Sequence, residues 1–181
     1  MNKLLPLALV LLGVACQQKE VPSVFVNASA ERITTQQGVT YHDDKIFSGW
    51  IFERNAIGDT LSLTPYLDGK EEGLSKKWYD NHQLQEVRLY HLGKKEGEHK
   101  GWYANGGTRF IYHYQNDLYH GRVTEWQANG KLYRDFHYEN GYEAGTQKMW
   151  EADGRLKANY VARNGRKYGL TGSKNCLSAS R

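Results

Sequence analysis

Few residues in this sequence are of types, and at spacings, that could do chemistry, and each has a plainer alternative. Cys176 lies close to Lys174, whose ammonium would favour a reactive thiolate; the alternative is a small apolar side chain in a terminal cap. His113 and His137 stand 24 residues apart. If that interval is one repeat of two strands, they lie roughly 9.5 Å apart at about 4.8 Å per strand. A shared zinc needs both nitrogens at about 2.1 Å, so these histidines read as solvent-side residues. His42, Asp43 and Asp44 are adjacent, and three neighbours on a strand cannot face one point; a polar turn is expected. Gly172-Ser173-Lys174 lacks the GxxxxGK[ST] spacing of a phosphate loop and any helix after it. No Ser/His/Asp arrangement or carboxylate pair stands out. The expectation is a protein that is not an enzyme, with no metal site and no cofactor.

What the sequence does hold in surplus is rings. Aromatic residues make up 13% of the 181 residues, with 13 tyrosines, while glycine numbers 19 and proline three. Aliphatic residues are sparse and mean hydropathy is −0.75, so a thick Leu/Val/Ile core is excluded. Each Trp or Tyr still buries a large apolar area, which excludes a disordered chain and suits a thin all-β structure. Tyr and Trp also anchor interfaces. Tyr79, Tyr103, Tyr119 and Tyr133 are expected to be exposed and to bind, whereas Trp78, Trp102, Trp126 and Trp150 hold the fold. The net charge of +4 is interleaved, with no run of five like charges. It reads as solvated surface, and no nucleic-acid partner is expected.

The elements that must position those rings follow from a repeat. Trp78, Trp102, Trp126 and Trp150 are each 24 residues apart, and Gly49, Gly73, Gly97, Gly121, Gly145 and Gly169 keep the same interval. So do Tyr66, Tyr90, Tyr114 and Tyr138, and so do Gly69, Gly93, Gly141 and Gly165, with Asp117 in the missing place. Each unit reads as a β-hairpin. After Trp come Asn81-His82, Asn105-Gly106, Asn129-Gly130 and Asp153-Gly154, dipeptides suited to two-residue type I′ turns. Leu132, Arg134, Phe136 and Tyr138 then alternate with Tyr133, Asp135 and His137, the period of a half-buried strand. Gly73, Gly97, Gly121 and Gly145 start the strand that leads to Trp, at a tight turn or close backbone approach.

These units resemble the MORN repeat in the form found in the YwqK-type antitoxin family. Tyr138, Gly141, Gly145, Trp150, Asp153-Gly154 and Leu156 follow its pattern. Copies run through Tyr90, Gly93, Gly97 and Trp102-Tyr103, and through Tyr66, Gly69, Gly73, Trp78-Tyr79 and Leu84. A fourth holds Tyr114, Gly121, Trp126, Asn129-Gly130 and Leu132. A divergent unit at Tyr41 and Phe47-Ser48-Gly49 precedes them, and a truncated one with Gly165 and Gly169 follows. The resemblance covers residues 41–172 and implies tandem antiparallel hairpins forming an elongated curved sheet. It also implies two activities, neutralising a toxin or contacting lipid directly.

The start of the chain reads as an address. Lys3 precedes an apolar run from Leu4 to Ala15, too short for the about 20 residues of a membrane span and shaped like a secretory signal. Its end, Leu11-Leu12-Gly13-Val14-Ala15-Cys16, resembles a bacterial lipobox, with Gly13 where Leu is usual. That resemblance implies cleavage after residue 15 and lipidation of Cys16; the residues also allow ordinary cleavage that leaves Cys16 a free thiol. Residues 16–40 are then tether and N-terminal cap, and 173–181 a C-terminal tail. The function expected is a non-enzymatic envelope lipoprotein, exported and membrane-anchored, whose repeats dock an unknown protein or envelope ligand. Neutralisation of an exported toxin, direct lipid binding and a redox or metal-delivery role for Cys176 are the alternatives.

Overall fold

The computed structural model describes residues 19–172; the leader 1–15, Cys16, Cys176 and the tail 173–181 lie outside the described residues. Those described are all β. Four short strands come first: β1 (Phe25–Asn27), β2 (Ile33–Gln36), β3 (Val39–His42) and β4 (Lys45–Ile46). Five hairpins follow, each joining a six-residue to an eight-residue strand. They are β5 (Gly49–Arg54) with β6 (Thr60–Leu67), β8 (Gly73–Trp78) with β9 (Leu84–His91), and β11 (Gly97–Trp102) with β12 (Thr108–Gln115). The last two are β14 (Gly121–Trp126) with β15 (Leu132–Glu139) and β17 (Gly145–Trp150) with β18 (Leu156–Arg163). Between hairpins lie β7 (Lys70–Glu71), β10 (Lys94–Lys95), β13 (Leu118–Tyr119) and β16 (Tyr142–Glu143), and β19 (Arg166–Leu170) ends the series. The hairpins pair only with their neighbours, in the order β5-β6-β8-β9-β11-β12-β14-β15-β17-β18-β19, all antiparallel. The result is one elongated sheet of repeated hairpins, in which contacts are local and stability is nearly additive along the array.

The turns differ from the expected ones. At Asn105-Gly106 the Gly106 N–H donates to the Tyr103 carbonyl and the Tyr103 N–H to the Gly107 carbonyl, with positive φ only at Gly106. That is a three-residue loop, a type I turn closed by a residue in the left-handed region. The same pair of bonds recurs at Tyr79/His82, Gln127/Gly130 and Glu151/Gly154. Asn is selected there because its Oδ1 accepts the N–H two residues on, as Asn105 does from Gly107 at 3.0 Å. The two-residue type I′ turns stand at the opposite end of each unit. Leu92-Gly93 (φ 51° and 78°), Asn116-Asp117 (49° and 69°) and Asn140-Gly141 (49° and 83°) have both central residues at positive φ. Asp43-Asp44 turns in the same way between β3 and β4. Asp117 fills the gap in the glycine series because aspartate tolerates the left-handed region.

Cross-strand pairing accounts for the other recurring residues. Gly73, Gly97 and Gly121 pair with Tyr90, Tyr114 and Tyr138, and Trp78, Trp126 and Trp150 pair with Leu84, Leu132 and Leu156. Gly97 has φ 63°, and a Cβ there would meet the Leu89 side chain at 3.2 Å. The four tryptophans occupy one position, the last residue of the six-residue strand, and all are half-buried.

Both ends of the sheet are dressed. β1 runs parallel to β5, and the small sheet β2-β3-β4 brings Ile33 against a core of Val26, Phe47 and Ile51. At the other end β19 is exposed throughout, and Arg166 and Lys167 discourage pairing with another chain.

Leu92 is an unsuited residue for a type I′ turn, and its side chain is exposed. Leu92→Asn, matching Asn140, is expected to raise unfolding stability by about 0.5–1 kcal/mol, read as a higher urea midpoint. A lower midpoint contradicts the turn assignment.

Candidate ligand-binding face

One face of the sheet carries the rings. Along the eight-residue strands the inward positions hold Phe110, Tyr112 and Tyr114 in one unit and Arg134, Phe136 and Tyr138 in the next. Phe110 stacks on Tyr112 with centroids 4.4 Å apart. His99 bridges Tyr90 and Tyr114 at 5.7 and 4.7 Å. Tyr119 then sits between Tyr114 at 4.7 Å and Tyr138 at 5.1 Å, and Phe136 continues the layer to Tyr160 at 6.2 Å. Burial pushes the Tyr112 and Tyr114 phenols well above their usual range, Glu125 assisting at Tyr112 and Tyr119 at Tyr114. Aromatic pairs of this kind add about 0.5–1.5 kcal/mol beyond their area.

Two polar side chains are enclosed in this layer, and both are hydrogen-bonded to backbone carbonyls. His99 is 1% and Gln147 0% exposed. His99 Nε2 donates to the Leu89 carbonyl at 2.8 Å, and Gln147 Nε2 to the equivalent His137 carbonyl at 2.8 Å. Burial lowers the His99 pKa, and the Arg88 and Lys95 charges push the same way. Glu125 accepts from the Tyr112 hydroxyl at 2.6 Å and pairs with Arg134.

Each hairpin also carries a β-bulge in one place. Pairing skips from Gly101↔Phe110 to Trp102↔Thr108 and from Glu125↔Arg134 to Trp126↔Leu132, which leaves Arg109 and Tyr133 as extra residues. A bulge re-aims a side chain. Simple alternation put Tyr133 on the face opposite Arg134; instead Tyr133 and Arg109 line a recess with Tyr103, Phe110, Tyr112, Glu125 and Trp126. Its volume is 490 Å³. Arg109 lies 5.3 Å from the Phe110 centroid, in cation–π range.

The four tyrosines expected to bind thus part company. Tyr133 is exposed at 37% and lines the recess. Tyr103 lines it too, but is half-buried and donates its hydroxyl to the Trp126 carbonyl of the next unit at 2.7 Å. Tyr79 makes the same bond to the Trp102 carbonyl at 3.0 Å, and Gln127 takes this place one unit on, bonding the Glu151 carbonyl at 3.2 Å. Tyr119 is half-buried in the ring layer. The expected exposure therefore holds for Tyr133 alone; Tyr79 and Tyr103 clamp one unit to the next. The 24-residue spacing of Tyr79 and Tyr103 was the available signal, since a repeated residue serves the repeat. The His113 Nδ1–H donates to the Arg122 carbonyl at 2.8 Å, and His137 is exposed. Among the described residues no group of three His, Cys, Asp or Glu side chains is placed to hold a metal ion, and no helix is long and apolar enough to cross a membrane.

Compared with protein-family models and with curated proteins, the chain matches none. The class that the fold defines is architectural: an all-β array of antiparallel hairpins.

Because His99 is held neutral by burial, its folded pKa lies below the ordinary 6.5. The unfolded chain takes up the proton first, so this contribution to stability is complete above about pH 6.5 and is lost as pH falls through the folded pKa. Tyr90 and Tyr114 face the imidazole, with Arg88 and Lys95 the nearby cations. His99→Gln, which copies Gln147, is expected to flatten the acid limb of a stability–pH curve measured by urea unfolding. An unchanged limb contradicts this role.

Proposed function

We propose that the chain is a MORN-type repeat lipoprotein, tethered at the cell envelope through Cys16, whose ring-bearing face docks a protein or envelope component without chemistry of its own. The observation that carries this reading is the 490 Å³ recess, which gathers Tyr103, Phe110, Tyr112, Trp126 and Tyr133 beside Arg109 and Glu125. Ring-lined recesses with a few placed charges are what buried anchor residues of a partner fill. The remaining support is the repetition itself, since stacked hairpins present a long surface built for area and not for a reaction.

Docking here has a direct test. A photo-crosslinking phenylalanine analogue at Tyr133, in intact cells making the full chain, is expected to give one discrete adduct. The same analogue at Leu74, which is exposed on β8, is expected to give none. Equal crosslinking at both, or none at Tyr133, contradicts docking at this recess. The tether is tested separately: Cys16→Ser is expected to abolish labelling by a palmitate analogue and to release the protein from membranes, and undiminished labelling contradicts it.

A further inference from the structure

The ring layer has a break. Rings follow one another from Tyr90 to Tyr160, and Phe47 meets Tyr66 at 6.2 Å. Among the described residues, however, no ring contact joins Tyr66 to Tyr90. Four equivalences explain the gap. Ser62 stands where Phe110 stands two units on, Thr64 where Tyr112, Phe136 and Tyr160 stand, and Ser75 where Val123 stands. Glu71 holds the place of Tyr119, the ring that fills the corresponding space between Tyr114 and Tyr138. The missing rings leave a hollow of 280 Å³, floored by hydroxyls, with Tyr66, Tyr90, Glu71 and Arg88 among its walls.

The charges around this hollow are not equally engaged. Arg88 is held by Glu86 at 2.7 Å. Glu53 accepts the Ser62 hydroxyl at 3.1 Å, and the Thr64 and Ser75 hydroxyls bond each other at 2.8 Å. Lys77 is exposed at the rim. Glu71 is different: it is half-buried, and among the described residues no hydrogen bond or ion pair reaches its carboxylate. Burial raises its pKa, although Arg88, Lys77 and Lys95 act on it from a distance. Burial also lifts the neighbouring Tyr66 phenol to about 12, with the Glu71 charge second. A desolvated carboxylate without a partner is costly, and a ligand cation removes that cost.

We propose that this hollow binds one amino-sugar ring, its ammonium pairing with Glu71, its hydroxyls meeting Ser62, Thr64 and Ser75, and its C–H face lying against Tyr66 or Tyr90. Several features favour that class over others. Hydroxyl side chains each offer one donor and two acceptor sites, matching a polyol. Three carboxylates (Glu53, Glu71, Glu86) outnumber two cations (Lys77, Arg88) in the lining, which disfavours an anion. The volume lies at the small end of ligand pockets and suits a single ring. The site is separate from the Tyr133 recess and stands or falls independently of docking there.

The test uses the full-length protein in detergent, titrated by calorimetry with glucosamine and with glucose as the uncharged counterpart. Saturable glucosamine binding at least tenfold tighter than glucose is expected. Glu71→Gln is expected to weaken glucosamine at least tenfold, and Thr64→Tyr, which restores the missing ring, to abolish it with the far-ultraviolet spectrum unchanged. No saturable glucosamine binding, equal binding of glucose, or full affinity in Glu71→Gln would each overturn the proposal. Should Thr64→Tyr fail to fold, Glu71→Gln decides alone.

Discussion

A single-layer sheet has no second layer to bury its apolar face, so its rings must cover one another. Everything else in this structure depends on that contact. One hairpin offers too little ring surface to exclude water, but a neighbour brought up in register extends the layer, as Tyr119 does between Tyr114 and Tyr138. The exposed backbone of each hairpin finds its partner in the same step. The clamps from Tyr79, Tyr103 and Gln127 to the next turn fix the register, and the left-handed residues at both ends of each unit let the chain reverse within a constant length. A 24-residue interval is the outcome of these demands acting together.

Given that scaffold, difference between units becomes informative. Positions that face the layer can be ring, hydroxyl, carboxylate or guanidinium. His99 and Gln147 answer equivalent carbonyls with different chemistry. Gly101 is buried opposite Phe110, whose ring would lie 2.2 Å from a Cβ at that position, so the one Phe of this row is accommodated by the one Gly. Where units depart further the layer opens, at the bulge around Tyr133 and at the hydroxyl floor of Ser62, Thr64 and Ser75. A repeat that is uniform on its skeleton and variable on its face is suited to recognition.

Much of the skeleton was legible in the sequence, because the glycine, tyrosine and tryptophan series are direct records of cross-strand pairing. The all-β hairpin array was readable for that reason, and the polar turn at Asp43-Asp44 from its adjacent polar residues. The turn types were exchanged because Asn-Gly fits both a type I′ turn and the loop of a bulged hairpin, and only hydrogen bonding separates them. Leu92-Gly93 gave no type I′ signal at all. Tyr133 was assigned to the wrong face because alternation assumes an unbroken strand, and a bulge leaves no mark in residue type. The Glu71 hollow was hidden for a different reason: Ser62, Thr64 and Ser75 are unremarkable singly and acquire meaning only beside Phe110, Tyr112 and Val123.

The ring layer can be observed directly through proton–proton contacts in solution by nuclear Overhauser spectroscopy on samples with labelled tyrosines. The account predicts cross-peaks from the Tyr119 ring to both Tyr114 and Tyr138, and from His99 to Tyr90 and Tyr114, with none between Tyr66 and Tyr90. A Tyr119 ring without either neighbour, or a continuous series running through Tyr66 to Tyr90, would contradict it.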